Sequence, residues 1–271
     1  MKISKMENTK ELSVIIVNYK SEHFLEQCLN SLYLAISGKI SFEVIIVNNY
    51  SPETLEKIQK SFPEIRVIIN AKNGGFGQGN NIGTREALGK YLLFLNPDTE
   101  IISGNFNEIR EEFERNDEIG ALSGQLMTEE NNIQEWSVGQ RITFWDLVKN
   151  NLGFPSGRKV WESRGKKEVA WVAGTFFFIR RKLFLDLGGF DENIFMYFED
   201  VDLCERIKKV GKKILYFPEI RILHKYGGSY AEEGKRWQKK NYYDSMEYYF
   251  KKHRPKIEAW SVRIIRKIFF I

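Results

Sequence analysis

Several things that would fix the class of this chain at once are scarce or missing. Only two of its 271 residues are cysteine, Cys28 and Cys204. Two thiols so far apart match neither a disulfide framework nor a metal-ligand spacing. Cys28 shares an apolar helical stripe with Phe24, Leu25, Leu29 and Leu32, so both thiols are expected to be buried and inert. No apolar run reaches the roughly 18 to 20 residues that cross a bilayer. The polar start, Met1 to Lys10, lacks the apolar block of a secretion leader, and a cytoplasmic location is the expectation. There is no Gly-Lys-Ser/Thr phosphate loop, and no dinucleotide fingerprint directly after the first strand. Internal repeats, low-complexity tracts and linkers are absent as well. What is present, 42% hydrophobic and 14% aromatic residues, is ample for a core and excludes a disordered chain.

The net charge of +5 conceals an asymmetry. Residues 206–271 hold 18 Lys and Arg against 6 Asp and Glu, a balance of +12, which leaves −7 on residues 1–205. Such polarity suits contact with an anionic surface, either nucleic acid or the inner face of a membrane. No nucleic-acid motif accompanies the basic residues, so no nucleic-acid partner is expected.

Short β-branched runs punctuate the first hundred residues: Ser13 to Asn18, Phe42 to Val47, Arg66 to Ile69 and Tyr91 to Leu95. Near-continuous apolar strands of this kind suit a parallel sheet covered on both faces. Helical periods separate them, with Phe24, Cys28 and Leu32 four apart and Leu55, Ile58 and Phe62 three and four apart. The expected fold is α/β, a Rossmann-like, mostly parallel, doubly wound sheet. Ligands of such sheets lie beyond the carboxyl ends of the strands, where Asn18, Asn48, Asn49, Asn70 and Asn96 fall. After residue 120 the pattern becomes mixed α+β. Glu168 to Arg180 reads as one long strand, and Arg181 to Leu187 as a short helix ended by Gly188-Gly189. A helix from Glu199 carries Leu203, Ile207 and Val210 on its buried stripe, with Gly211 as its stop. One domain over residues 1–250 is expected, with a basic amphipathic extension at 251–271.

Three segments carry candidate chemistry. Asn73-Gly74-Gly75-Phe76-Gly77-Gln78-Gly79-Asn80-Asn81-Ile82-Gly83 follows the third strand, and its glycines would let backbone approach a ligand closely. A helix start near Asn81 would then offer free N–H groups; a tight loop without ligand is the plain alternative. Asn96-Pro97-Asp98 ends the fourth strand. Asp98 is either the N-cap of a following helix or a hard oxygen ligand for Mg²⁺ or Mn²⁺ bridging two phosphates.

The third segment, Gly188 to Cys204, places Glu199, Asp200 and Asp202 directly after Phe195-Met196-Tyr197-Phe198, an aromatic run expected to be buried. A helix dipole favours one or two carboxylates at such a start, plausibly Asp202, but not three beside a dry wall. Asp200 is assigned as a general base that takes the proton of an attacking hydroxyl, with Glu199 beside it. His224, after a short apolar strand, is an ordinary histidine or a metal or phosphate contact. Trp136, Trp161 and Trp171 are core residues or stacking platforms for sugar rings.

Taken together, Val14 to Tyr19, Val47 to Ser51, Asn73 to Gly83, Leu95 to Thr99 and Gly188 to Arg206 resemble the inverting family 2 glycosyltransferases of the GT-A fold, especially the bacterial rhamnosyltransferases. The resemblance spans about residues 12–250, with the last two blocks its most specific part. It implies a nucleotide-binding half at 12–120 and an acceptor and catalytic half at 121–250. It further implies that Asn18, Tyr19, Asn48, Asn73, Gly74, Gly75, Phe76, Gly77, Asn80 and Asn96 contact the nucleotide-sugar. Asp98 and His224 would hold Mg²⁺ or Mn²⁺, Asp200 would be the base, and Trp136, Trp171, Gly174 and Thr175 would line the acceptor side. Asn48 stands where the family usually has Asp, and Asn96 where its metal motif has a first Asp.

The implied donor is dTDP-β-L-rhamnose, and the implied acceptor a lipid-linked saccharide of cell-surface polysaccharide assembly. A different UDP- or dTDP-sugar and an inactive nucleotide-sugar-binding relative stay open. A sugar-phosphate nucleotidyltransferase is disfavoured, because Tyr19-Lys20-Ser21-Glu22 stands where a glycine-rich loop with a basic residue should follow the first strand. If residues 257–271 are helical, Ile257, Trp260, Ile264, Ile268 and Ile271 share one face beside Lys256, Arg263 and Lys267. That pattern suits an inner-membrane surface, a core contact or an oligomer contact.

Overall fold

The computed structural model describes residues 10–36, 38–50, 54–146, 158–225 and 233–269. Ser51 and Ile271, which figure in the motifs above, lie outside the described residues. The first β-branched run forms β1 (Leu12–Asn18), with all seven residues buried. There follow α1 (Glu22–Ile36), β2 (Phe42–Asn49), α2 (Glu56–Ser61), β3 (Arg66–Asn70), α3 (Gly75–Glu86) and β4 (Tyr91–Leu95). These four strands lie side by side as β3-β2-β1-β4, every pairing parallel. The chain runs out to β3 at the edge and returns on the other side of β1. Between β1 and β4 the order therefore reverses, and a crevice opens beyond their carboxyl ends. Asn18 and Asn96 flank it.

The second half extends the same sheet in mixed sense. Its elements are β5 (Thr99–Ser103), α4 (Phe106–Arg115), β6 (Ile119–Met127), β7 (Val138–Gly139), α5 (Arg158–Trp161), β8 (Lys167–Val169), β9 (Trp171–Val172), β10 (Phe176–Arg180), α6 (Arg181–Asp186), α7 (Glu199–Lys209), β11 (Lys213–His224), α8 (Gly234–His253) and α9 (Lys256–Phe269). Beyond β4 the order continues β10-β6-β11-β5, with β10 antiparallel to both neighbours.

Alternate residues of β1 enter opposite cores. Val14 and Ile16 pack with Leu25, Leu29, Leu32, Phe106 and Phe113 of α1 and α4. Ile15 packs on the other face, in the core that holds Phe94, Phe184, Leu203 and Ile207. Each such buried side chain contributes about 1.5–3 kcal/mol. A third core docks α8 and α9 onto the start of α7 through Phe198, Val201, Tyr243, Met246, Tyr249, Phe250 and Val262.

Four expectations are corrected. The glycine run is itself helical: α3 starts at Gly75, not near Asn81. The reason is packing. A Cβ at Gly79 would come within 2.7 Å of Val17 Cγ1, and one at Gly83 within 2.5 Å of Ile15 Cγ2, so α3 lies against the sheet with no side-chain layer between. Gly75 has φ +86°, and its Cβ would fall 1.9 Å from the Phe195 carbonyl oxygen, so only glycine fits there. The long strand over Glu168 to Arg180 is three short ones. It breaks where the Ala170 and Ala173 N–H groups turn to the carbonyls of Gly139 and Ser137, at 2.8 Å each. Val210 is 54% exposed, because α7 ends at Lys209 and Val210 is its cap. The aromatic run is mixed: Met196 and Phe198 are buried, but Tyr197 faces outward.

Candidate active site

Three strand ends and the loop after β3 knit an asparagine network. Register sets Asn18 opposite Asn48 and Asn49 opposite Asn70. Asn18 Nδ2 donates to Asn48 Oδ1 at 3.0 Å. Asn49 is the hub: its Nδ2 donates to Asn73 Oδ1 and to the Gly75 carbonyl, and its Oδ1 accepts from Asn70. Asn73 Oδ1 also accepts the Gly75 N–H at 3.0 Å. This ties the glycine-rich helix start to the ends of β2 and β3.

Asn18 Oδ1 and Asn80 Oδ1 are buried without a hydrogen-bond partner. Orphaned acceptors of this kind are costly in a finished core. Tyr19 donates its hydroxyl proton to Glu233 at 3.1 Å. Gly74 caps α3, and Gly77 packs 3.0 Å from Phe190, measured from an added Cβ.

The Asn96-Pro97-Asp98 corner sits beyond β4. Beneath it lie the thiol of Cys28, 3.6 Å from the Asn96 carbonyl oxygen, and Thr99 Oγ1, which donates to the same oxygen at 2.7 Å. Burial pushes the Cys28 thiol up to about 12, as an inert thiol requires. Antiparallel pairing of β5 and β11 sets His224 opposite Thr99. That register brings His224 Nε2 to 3.4 Å from Asp98 Oδ1, both side chains nearly buried. The other ring nitrogen of His224, Nδ1, is 2.8 Å from Gln134 Oε1. Gln134 is fixed in turn by its N–H to the Leu126 carbonyl. Gln134 thereby fixes the orientation of the imidazole, with Nε2 on the Asp98 side.

The separation of Asp98 and His224 suits two ligands of one divalent cation, each bound near 2.1 Å. Among the described residues no third His, Cys, Asp or Glu joins them. An ion held there would take its remaining ligands from phosphate oxygens and water, the manner in which Mg²⁺ and similar ions bind nucleotide sites.

The acidic helix start is built under strain. Tyr197 and Phe198 both lie in the left-handed region, at φ 67° and 66°, at a cost of about 1–3 kcal/mol each. What holds them is external. Ser245 Oγ donates to the Met196 carbonyl, Phe76 N–H to the Phe195 carbonyl, and Asp202 N–H to the Phe198 carbonyl. Phe198 also packs against Tyr242 and Tyr249.

The three carboxylates then divide. Asp202 is fully buried and receives Arg206, Lys252 and His253 at 2.6 to 2.8 Å. Burial pushes its pKa up, but the His253 and Lys252 hydrogen bonds overcome this, and its pKa falls below the usual carboxylate range. Asp202 is a structural anchor between α7 and α8. Asp200 accepts the Gly174 N–H on Oδ2 at 2.8 Å and the Val201 N–H on Oδ1 at 2.7 Å. Burial raises its pKa, and those bonds partly offset the rise. Glu199 is 6% exposed, and its Oε2 has no partner. Burial first, and the charge of Asp200 second, push its pKa well above the ordinary value. Of the pair, Glu199, whose Oε2 lacks a donor, is the one biased toward its neutral form, and Asp200, with two N–H donors, the one biased toward its charged form.

The dipeptide Gly174-Thr175 joins the two acidic elements. The Gly174 N–H binds Asp200, and the Thr175 carbonyl accepts the Asn96 N–H at 3.0 Å. Phe76 closes the same place, since a Cβ on Gly174 would be 3.0 Å from its ring and 3.7 Å from Asp200 Cβ. The corner and the helix start thus meet at one site. Trp171 packs nearby, with its indole N–H given to the Gln140 carbonyl. Trp136 is 44% exposed and stacks 5.4 Å from the buried Trp161. One residue of this site escapes sequence reading: Gln134 gives no local signal, because its role depends on a strand register.

Comparison with known proteins agrees with this geometry. Residues 13–188 match the family described as glycosyl transferase family 2. The N-acetylglucosaminyl-diphospho-decaprenol L-rhamnosyltransferase of Mycobacterium tuberculosis is 29% identical over 241 residues, covering 80% of this chain and 76% of that protein. Rhamnosyltransferase WbbL of Escherichia coli K12 is 27% identical over 220 residues, covering 78% and 82%. Among solved structures, GalNAc-T7 with UDP, GalNAc and Mn²⁺ superposes with a TM-score of 0.63 at 18% identity, over 81% of this chain and 44% of that one. The mannosyltransferase PcManGT of Pyrobaculum calidifontis, in complex with GDP-Man and Mn²⁺, gives 0.60 at 17% identity, over 91% and 64%. This chain is thus shorter than either structural neighbour. The sheet with its crevice is accordingly of the GT-A type, and the chain belongs to glycosyl transferase family 2 as a glycosyltransferase.

Proposed function

We propose that the protein transfers L-rhamnose from dTDP-β-L-rhamnose, with inversion, to a hydroxyl of a lipid-linked saccharide in cell-surface polysaccharide assembly. The relatives named as rhamnosyltransferases favour this sugar, and the decaprenol-diphosphate acceptor in one name favours a lipid-linked acceptor. The observation that carries the chemistry is the Gly174-Thr175 bridge, which ties the base candidate to the corner that would hold the diphosphate. In the reaction the acceptor oxygen bonds to the anomeric carbon as the bond from that carbon to the diphosphate oxygen breaks.

Asp200 takes the acceptor proton. Its raised pKa makes it a stronger base than an exposed aspartate, and its two N–H donors, which Glu199 Oε2 lacks, favour the charged form on Asp200. The asparagine network and the α3 start bind the nucleotide. Asp98 and His224 would hold Mg²⁺ or Mn²⁺, which when bound would offset the growing charge on the leaving diphosphate.

Asp200→Asn tests the reading. Transfer should fall about 10²- to 10⁴-fold, while nucleotide-sugar affinity stays within about threefold, because a base acts only in the transition state. Wild-type transfer by that variant would refute the role of Asp200. A panel of nucleotide sugars, scored by protection against thermal unfolding, tests the donor: stronger protection by a UDP-sugar than by dTDP-rhamnose would displace rhamnose from the proposal.

A further inference from the structure

The outer face of α9 has a chemistry that nothing in the transfer reaction uses. Its inner face is committed. Val262 is fully buried against α8, and Ala259 packs beside it. Glu258 accepts the Phe144 N–H at 3.2 Å, and Arg266 pairs with Asp244 and Glu247. Ile257 and Trp260, which point the other way, are 74% and 64% exposed. A contact of this face with the protein's own core is thereby excluded for those two residues. Lys256 and Arg263 flank them and are exposed too.

A second exposed tryptophan belongs to the same neighbourhood. Trp145 is 68% exposed. It follows Phe144, which packs into the core that α9 helps to cover and meets Trp145 edge to face with ring centroids 5.5 Å apart. Arg254, just before α9, donates to the Ile142 carbonyl at 3.0 Å. The segment before Trp145 and the start of α9 are therefore one rigid support that presents two tryptophans and an isoleucine outward.

Tryptophan is costly to leave in water yet carries a polar N–H, so it favours the boundary between headgroups and acyl chains. Lysine and arginine beside it favour anionic headgroups. The +12 balance of residues 206–271 acts in the same sense. Among the described residues no helix is long and apolar enough to cross a membrane, so the suited geometry is a helix lying along a surface.

We propose that the outer face of α9, together with Trp145, docks the protein onto an anionic lipid bilayer. The surface needs no donor or acceptor to act, so it stands apart from the choice of sugar. Only its purpose, delivery of the enzyme to an acceptor carried on a lipid, rests on the acceptor proposed above.

The test is flotation of the full-length protein with vesicles of phosphatidylglycerol and phosphatidylcholine, against vesicles of phosphatidylcholine alone. The wild-type protein should float with the anionic vesicles and bind the neutral ones far more weakly. Trp145→Ser/Ile257→Ser/Trp260→Ser and, separately, Lys256→Glu/Arg263→Glu should each lower the partition coefficient about tenfold or more. Both variants should unfold within about 2 °C of wild type, since they change exposed side chains, and the charge variant stands as an independent probe should the triple one misfold. Wild-type protein that ignores anionic vesicles would overturn the proposal, as would either folded variant binding like wild type. A wild-type dimer that the triple substitution converts to monomer would assign the face to a second copy of this chain instead. None of these measurements involves sugar transfer, so their failure and a failure of the rhamnosyl reading are separately visible.

Discussion

Glu199→Gln isolates what burial does to the carboxylate pair. The wild-type side chain is 6% exposed, one oxygen lacks a partner, and Asp200 is its neighbour. Its pKa in the fold is raised well above the ordinary value by burial and by Asp200. In the unfolded chain Glu199 titrates near 4.3. Between that pH and its folded pKa the unfolded state loses the proton while the native state keeps it. The native state then binds more protons, and stability falls as pH rises, by up to about 1.4 kcal/mol per pH unit.

Glutamine has the same shape and can accept the same backbone N–H, but it does not titrate. Below about pH 4, where Glu199 is protonated in both states, the two proteins should differ by only about 1 kcal/mol. Above about pH 4.5, and until the raised folded pKa is passed, the variant should gain steadily on the wild type. The assay is urea denaturation at half-unit steps from pH 4 to 8, with the difference in unfolding free energy plotted against pH. A flat difference would show that Glu199 titrates alike in both states, and the argument for a neutral Glu199 beside an anionic Asp200 would fail.

Other outcomes follow from packing and from the cation site. Gly83→Ala gains about 1 kcal/mol of helix propensity, but its Cβ meets Ile15 Cγ2 at 2.5 Å and Val47 Cγ2 at 3.2 Å, both fully buried. Overpacking costs about 1–3 kcal/mol, so a net loss of up to about 2 kcal/mol is expected by chemical denaturation; a higher stability would refute the seam between α3 and the sheet. Gln134→Leu removes the acceptor that orients His224. The Mn²⁺ concentration for half-maximal transfer should rise about 10- to 100-fold, and an unaltered requirement would separate Gln134 and His224 from the ion.

Much of the site was legible along the chain. The β-branched runs gave β1 to β4, and their polar ends gave the asparagines, because a parallel strand writes its burial into consecutive residues. Glu199 and Asp200 stood out because acids beside an aromatic run conflict with simple burial. The glycine segment was read as a loop that lets backbone approach a ligand, and the structure makes most of it a helix packed on the sheet. Its glycines meet Val17, Ile15 and the Phe195 carbonyl, partners that lie far away in sequence.

The sequence by itself determined the four parallel strands of the first hundred residues, the helix from Glu199 and which residues could bear chemistry, since periodicity and residue type are local properties. Tertiary structure alone decided how those residues share the work. Strand register set His224 against Asp98, with Gln134 behind it. The break between β9 and β10 freed the Gly174 N–H for Asp200. The packing of α8 made Asp202 an anchor rather than a base, and the side of α9 that meets α8 decided which of its faces stays in solvent. Each of these depends on distances between residues 25 to more than 100 positions apart, which no local pattern encodes.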